Sequence, residues 1–298
     1  GMSSYNRRSS SKLGWTPQWF GVPEFGEDLQ DSIKDFQGKY PDLKIDGMCG
    51  PVTFRRVKLE RDSEDIGPAS GDKILLGGKL LPIPWDNVVV PREDGALTLS
   101  KGFRKRKDRY INMVITHWDV CTSAKKCRNV LAAKGISTHF CIDWDGTIYQ
   151  FIDAMHEGWH SGVGKINRQS IGIDLNNPVY TKYNKVLVKR GQPERPVISG
   201  YSINGWKPKE FLGFHQVQID AYIALLAGLN EHLPDLNLVP TGDLGNPKVI
   251  KTIPLVKAAS EGGVMHHAHV KKRKWDTAGV DIAACCEAAK GLDVLCCT

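Results

Sequence analysis

The chain has 298 residues, 41% hydrophobic and 24% charged, which suits one large or two smaller globular domains with a real core. No apolar run approaches the ~20 residues of a membrane-spanning helix, and Gly1 to Ser11 lack the apolar region of a signal peptide. A formal net charge of +7 favours an anionic partner (nucleic acid, a membrane surface or a bacterial wall), and eight cysteines are too sparse here for a disulfide scaffold.

Residues 1–11, rich in Ser, Arg and Asn, read as disordered. Leu29, Ile33 and Phe36 then share one face of a helix over 29–37. Asp46-Gly47 and Gly50 permit a tight loop, and Pro51 suits the first turn of a second helix. Phe54, Val57 and Leu59 of that helix are expected to face the first one. The charged tail Glu60 to Asp65, followed by Gly67-Pro68, closes the unit. Phe36-Gln37 followed by Asp46-Gly-Met-Cys-Gly-Pro-Val-Thr53 resembles the peptidoglycan-binding helical module found beside many cell-wall hydrolases. The resemblance implies a small helical domain over 12–65, with a further helix supplied by residues 12–28.

Residues 66–110 read as a linker followed by peripheral strands, with a hairpin of Ile74–Leu76 and Leu80-Leu81 about Gly77-Gly78. The basic run Lys101 to Arg109 reads as a solvated loop, with contact to an anionic polymer as its functional alternative. Met113 to Thr116 is a short buried strand that delivers His117 at its end. A helix runs from Ser123 to Lys134, started by Thr122 or Ser123 and stopped by Gly135. Strands over 138–142 and 147–152 flank Asp145-Gly146, the best hairpin signal in the chain. Ser170 to Leu175 is a further strand, and 176–212 reads as a loop-like insertion near the site. Gln216 to Leu233 is an amphipathic helix with Tyr222, Leu225, Leu226, Leu229 and Leu233 on one face, and Val280 to Ala289 is the last helix. The fold class is therefore α/β: a mixed β-sheet flanked by helices over 111–298, with a small N-terminal helical domain. Gly158, Gly162 and Gly164 lie in a turn rather than between a strand and a helix, which argues against a nucleotide site.

The chemistry-bearing residues suit a divalent metal. A catalytic zinc takes a few imidazole or carboxylate ligands and leaves a position for water. Candidates are His117, the cluster His266, His267 and His269, and Asp276. Strand alternation puts His266 and His267 on opposite sides without saying which side faces a metal. Cys121 and Cys127 flank a short segment after His117 and either bridge or stay free.

From about Ile111 onward the chain resembles the zinc-dependent N-acetylmuramoyl-L-alanine amidases, a superfamily that includes AmpD-like enzymes, phage endolysins and the peptidoglycan recognition proteins. The matching pieces are Val114-Ile-Thr-His117, Ser137-Thr-His-Phe140, Asp145-Gly-Thr-Ile148, Gly158-Trp-His-Ser-Gly162, Ser170-Ile-Gly-Ile-Asp174 and His266 through Arg273-Lys-Trp-Asp276. The resemblance implies one Zn2+ held by His117, His266 and Asp276, with Asp174 as general base and Lys274 stabilising the oxyanion. It places Trp159, His160 and Thr138 against the substrate, peptidoglycan, and His139 and His269 in supporting roles. It also matches Cys121 and Cys127 to a disulfide position of the recognition proteins. Asp174 stands where the family usually has Glu, Asp276-Thr-Ala-Gly279 where it has D-P-G, and Thr138 where some members carry Tyr. The implied reaction cuts the amide between N-acetylmuramic acid and L-alanine at the bacterial wall, as in an endolysin or lytic enzyme. A non-catalytic recognition protein of the same fold is the alternative, and a nucleic-acid binder has no motif to support it.

Overall fold

Helix α1 (Met2–Leu13) occupies the stretch whose composition suggested disorder. The structure, a computed structural model, describes residues 2–40, 43–64, 71–91, 98–242 and 245–294. Two units separate, Gly1–Gly67 and Pro68–Thr298. In the first, α1 is held by polar docking rather than by an apolar stripe. Asn6 Nδ2 donates to Gly47 O and Asn6 Oδ1 accepts from Cys49 N, both at 2.9 Å, while Ser9 Oγ donates to Cys49 O. These polar side chains are buried, so composition misjudged them. The additional helix thus comes from residues 2–13, and within 12–28 there is a 3-10 turn, Pro17–Phe20.

Helix α2 (Glu27–Gly38) buries Leu29, Ile33 and Phe36 as its spacing predicts, and also Gln37. Gln37 acts as the hub of the following loop. Its Oε1 accepts from Asp46 N and Gly47 N, both at 2.9 Å, and its Nε2 donates to Asp46 Oδ1 and Met48 O, both at 3.1 Å. Helix α3 (Pro51–Glu64) packs Val57 beside Phe36, Tyr40 and Leu43. The Leu59 side chain, those of Glu60 to Asp65, and Gly67-Pro68 lie outside the described residues.

The second unit opens with the hairpin β1 (Lys73–Leu76) and β2 (Lys79–Pro82). Gly77 and Gly78 turn it at φ 59° and 79°, a conformation that favours glycine in two-residue hairpins. From there the chain runs β3 (Val88–Val89), β4 (Phe103–Arg104), β5 (Met113–Trp118), α4 (Ala124–Lys134), β6 (Phe140–Ile142), β7 (Ile148–Gln150) and β8 (Glu157–Gly158). Next come α5 (Gly164–Gln169), β9 (Ser170–Leu175), α6 (Asn184–Lys189), β10 (Val197–Ser199), β11 (Ser202–Ile203), β12 (Glu210–Leu212) and α7 (Gln216–His232). The chain ends with β13 (Val249–Ile250), α8 (Leu255–Glu261), β14 (Gly263–His266), α9 (His267–Val270) and α10 (Ile282–Lys290).

Among the described residues, one sheet has the order β14-β5-β9-β6-β7-β3. Its strands β14, β5, β9 and β6 run parallel, and β7 is antiparallel to β6 across the Asp145-Gly146 turn. This is the mixed sheet flanked by helices. Val114, Ile171, Ile173, Phe140 and Ile142 pack with Tyr222, Leu225, Leu226 and Leu229 of α7 in the main core. The hairpin is tied to the body by Gln150, which pairs with both Leu75 N (2.7 Å) and Leu75 O (2.6 Å).

Residues 176–212 depart from the loop-like expectation. Val179, Leu187, Phe211 and Leu212 are buried, and β10 pairs antiparallel with β12. Arg195 is 1% exposed and donates to Gln218 Oε1 (3.0 Å) and Asn176 Oδ1 (3.2 Å), tying the insertion to α7 and to the end of β9. Its strands are too short for a periodic pattern to reveal.

Candidate metal centre and cleft

The site is an outcome of strand parity. On β5 and β9 the register pairs Met113 with Ser170, Ile115 with Gly172 and His117 with Asp174. Side chains directly across from one another share a face, and successive ones alternate. One face of the sheet therefore carries His117, Ser170, Gly172 and Asp174, with Cys141 paired to Asp174. The other carries Val114, Thr116, Ile171 and Ile173 toward the main core. Strand β14 pairs Met265 with Ile115 and His266 with Thr116, so His266 belongs to the core-facing side. His267, one residue on, returns to the side of His117.

That parity sets His267, rather than the expected His266, beside His117 and Asp276. His117 Nδ1, His267 Nδ1 and Asp276 Oδ2 converge, at 3.0 Å between the two nitrogens, 3.2 Å from His117 to Asp276 and 2.8 Å from His267 to Asp276. His266 turns away. Its Nδ1 lies 2.9 Å from Thr277 Oγ1, which also donates to Thr116 O at 3.2 Å, and its side chain accepts from the His269 backbone N–H at the start of α9. His266 thus braces the residue after Asp276. The sequence does hold the signal that identifies His267: Val264-Met-His-His267 aligns with Val114-Ile-Thr-His117 as two parallel strands with one hydrophobic pattern.

Hydrogen-bond bookkeeping fixes the tautomers. Ser170 Oγ donates to Ile166 O (2.7 Å), so it accepts from His160 Nε2 (3.1 Å). His160 Nδ1 is then free to accept from His117 Nε2 (3.0 Å), which leaves His117 Nδ1 as a bare lone pair. His267 Nε2 faces Ser161 O (3.0 Å), which only accepts, so His267 Nδ1 is bare as well. Burial and the His267 ring beside it lower the His117 pKa to about 4, which keeps that imidazole neutral. Two lone pairs and a carboxylate thus face one another with no proton between them, a repulsive arrangement that a cation relieves. Tetrahedral zinc with ~2.0–2.1 Å bonds spaces its ligand atoms by about 3.3 Å. The donor triangle here, 2.8–3.2 Å on a side, fits such an ion.

The ring of His160 reaches its place because residue 172 is glycine. A Cβ there would come within 2.6 Å of the His160 ring. His139 is buried beside it, accepting from Gly172 N (2.9 Å) through Nδ1 and donating to His156 O (2.8 Å) through Nε2. His139 supports the strand without entering the donor triangle.

A cleft of about 460 Å³ opens above the triangle. It is lined by His117, His160, His267 and Asp276, and also by Asp174, Lys274, Arg273 and Trp275. Asp174 is buried, and burial together with Asp119 and Asp276 raises its pKa well above the ordinary carboxylate value. Cys127 Sγ lies 3.7 Å from Asp174 Oδ2, a neighbour that sequence reasoning did not assign. Cys121 and Cys127 are free thiols. Two expected substrate contacts are placed differently. The Thr138 hydroxyl donates to Phe140 O (3.4 Å), and Thr138 is not among the residues that line the cleft, whereas its neighbour Ser137 is. Trp159 is 43% exposed, and its backbone pairs with Gly102 and Ser137 beside the cleft.

Residues 107–279 match the family model described as N-acetylmuramoyl-L-alanine amidase. The chain belongs to that family, whose reaction hydrolyses the amide between N-acetylmuramic acid and the L-alanine of the peptidoglycan stem. Among solved structures, the chain is similar to a selenomethionine derivative of AmpD, with 16% identity over 64% of this chain and 92% of that one (TM-score 0.36). The amidase LysC from Clostridium intestinale URNW is 15% identical over 63% of this chain and 93% of that one (TM-score 0.37). AmpDh3 from Pseudomonas aeruginosa is 15% identical over 63% and 64% (TM-score 0.39). No curated protein sequence matches the chain.

Proposed function

We propose that the protein is a zinc-dependent wall-lytic amidase, with His117, His267 and Asp276 as its metal ligands. The observation that carries this reading is the convergence of two proton-free Nδ1 atoms and one carboxylate within 3.2 Å of one another. Zinc held there supplies Lewis-acid chemistry, polarising a carbonyl and acidifying water. The remaining work falls to the chain's own residues. Asp174, next to His117 across the strand pair, takes the proton of the attacking water and delivers it to the departing L-alanine amine. Its raised pKa suits a group that must hold that proton. Lys274, at the cleft wall, offsets the negative charge that grows on the scissile carbonyl oxygen. His160 and Ser170 keep the His117 ring turned with its lone pair inward.

The N-terminal unit is the wall-binding element of this reading. The Asp46-to-Thr53 loop and Tyr5 line a groove of about 300 Å³ within that unit. In an endolysin or lytic enzyme, such a unit would keep the amidase on its insoluble substrate. No helix among the described residues is long and apolar enough to cross a membrane.

The deciding experiment incubates the purified protein with peptidoglycan, with and without a chelator, and identifies products by mass spectrometry. Stem peptides beginning at L-alanine, released only in the metal-replete sample, are the expected outcome. Undiminished release in the chelated sample sinks the zinc assignment, and intact lactyl–peptide linkages sink the amidase assignment.

A further inference from the structure

Three tryptophans form a chain of ring contacts beside the cleft. Trp118 follows His117 and is buried, and Trp275 precedes Asp276 and lines the cleft. Trp206, on the insertion, is 53% exposed. Their ring centroids are separated by 4.5 Å (Trp118 to Trp275) and 5.1 Å (Trp275 to Trp206), both edge to face. Trp275 is the only ring recorded against Trp206 among the described residues, so the indole keeps open surface.

A mobile exposed indole would lose entropy on binding a ligand. Trp206 is held in advance. Ile203 and Trp206 exchange backbone hydrogen bonds at 2.8 and 2.9 Å, closing a tight turn. Asn204, at φ 52° within that turn, accepts from Thr252 N (2.7 Å) and donates to Lys272 O (3.1 Å). The turn is therefore tied to the same segment, 271–276, that carries Lys274 and Asp276. Preorganised aromatic anchors of this sort supply binding energy with little ordering cost.

We propose that Trp206 is a stacking platform for a sugar ring of the glycan strand, one subsite beyond the scissile N-acetylmuramoyl residue. The inference rests on the family's amidase reaction, which places a sugar on one side of the cut bond and a peptide on the other. A pyranose presents a face of C–H bonds that an indole surface covers by dispersion while the hydroxyls stay in water. A stem peptide has no such flat face, and its carboxylates are matched by Arg273 and Lys274 inside the cleft. The platform is thus a feature of the insertion, and it sets a preference for glycan length.

The test compares Trp206→Ala and Trp206→Phe with wild type on two soluble substrates, a muramyl peptide with a single sugar and a four-sugar muropeptide. Trp206→Ala should lower kcat/KM on the longer substrate by about tenfold through KM, and leave the single-sugar substrate within about twofold. Trp206→Phe should keep most of the preference. A second arm titrates tetra-N-acetylchitotetraose by calorimetry: wild type should bind and Trp206→Ala should not. Equal effects of Trp206→Ala on both substrates, whether none or large, overturn the proposal, as does chitotetraose binding that survives the substitution. A wild-type protein that cuts neither substrate sinks the amidase reading instead, and the calorimetric arm still decides the platform.

Discussion

The two faces of the central sheet are built from the same strands and do opposite jobs. Toward α7, Val114, Ile171 and Ile173 are fully buried, and Thr116 Oγ1 shares a 2.7 Å hydrogen bond with Tyr222. On the other side the same strands present His117, Ser170, Gly172 and Asp174, and polar atoms there are held by named partners. Near the C-terminal ends of β5 and β9 a single-residue step crosses from packing to chemistry, while Met113 and Ile115 still pack on the His117 side. The neighbours His266 and His267 make the sharpest case: one braces Thr277, the other points at Asp276.

The largest expected contrast lies in that pair. His267→Ala should abolish stoichiometric zinc and lower amidase kcat by about a thousandfold or more, because a donor is lost from a three-residue set. His266→Ala should keep one zinc per chain by atomic absorption, with activity reduced less than about tenfold. If His266→Ala loses the metal and His267→Ala keeps it, the parity argument fails.

A second contrast compares residues 172 and 173. Gly172→Ala puts a methyl against the His160 ring and should cost about 2 kcal/mol by denaturant titration, with a matching loss of activity. Ile173→Val on the core side should cost about 1 kcal/mol and leave kcat/KM of the folded protein unchanged. A third is smaller still. Ser170→Ala removes the acceptor that sets the His160 tautomer and should weaken zinc about tenfold in chelator competition. Tyr222→Phe should cost about 1 kcal/mol of stability without touching zinc affinity. Zinc affinity that is unchanged in Ser170→Ala would show that the His160 ring is set by other contacts.

Much of this was legible in the sequence. The strand ending in His117, the Asp145-Gly146 hairpin, the α7 face and the candidate carboxylates Asp174 and Asp276 follow from periodicity, turn chemistry and resemblance. The choice between His266 and His267 was not, because it depends on the register of β14 against β5, a relation between segments some 150 residues apart. Ser170 escaped notice since its role exists only through His160. Thr138 looked available because sequence position says nothing of depth. The order of residues 1–11 escaped for a related reason: Asn6 and Ser9 are polar, yet their partners are backbone atoms of Gly47 and Cys49.

Those last contacts bear on where the N-terminal unit can be cut. The loop from Asp46 to Cys49 borrows most of its hydrogen bonds from two side chains on separate helices, Asn6 and Gln37. A fragment begun at residue 12 would discard Asn6 and Ser9 and strand Cys49 N, Cys49 O and Gly47 O, at about 1–3 kcal/mol for each that stays buried. For a unit this small, that is comparable to its whole margin of stability. Transplanting the unit onto another enzyme therefore requires that the helix carrying Asn6 and Ser9 travel with it.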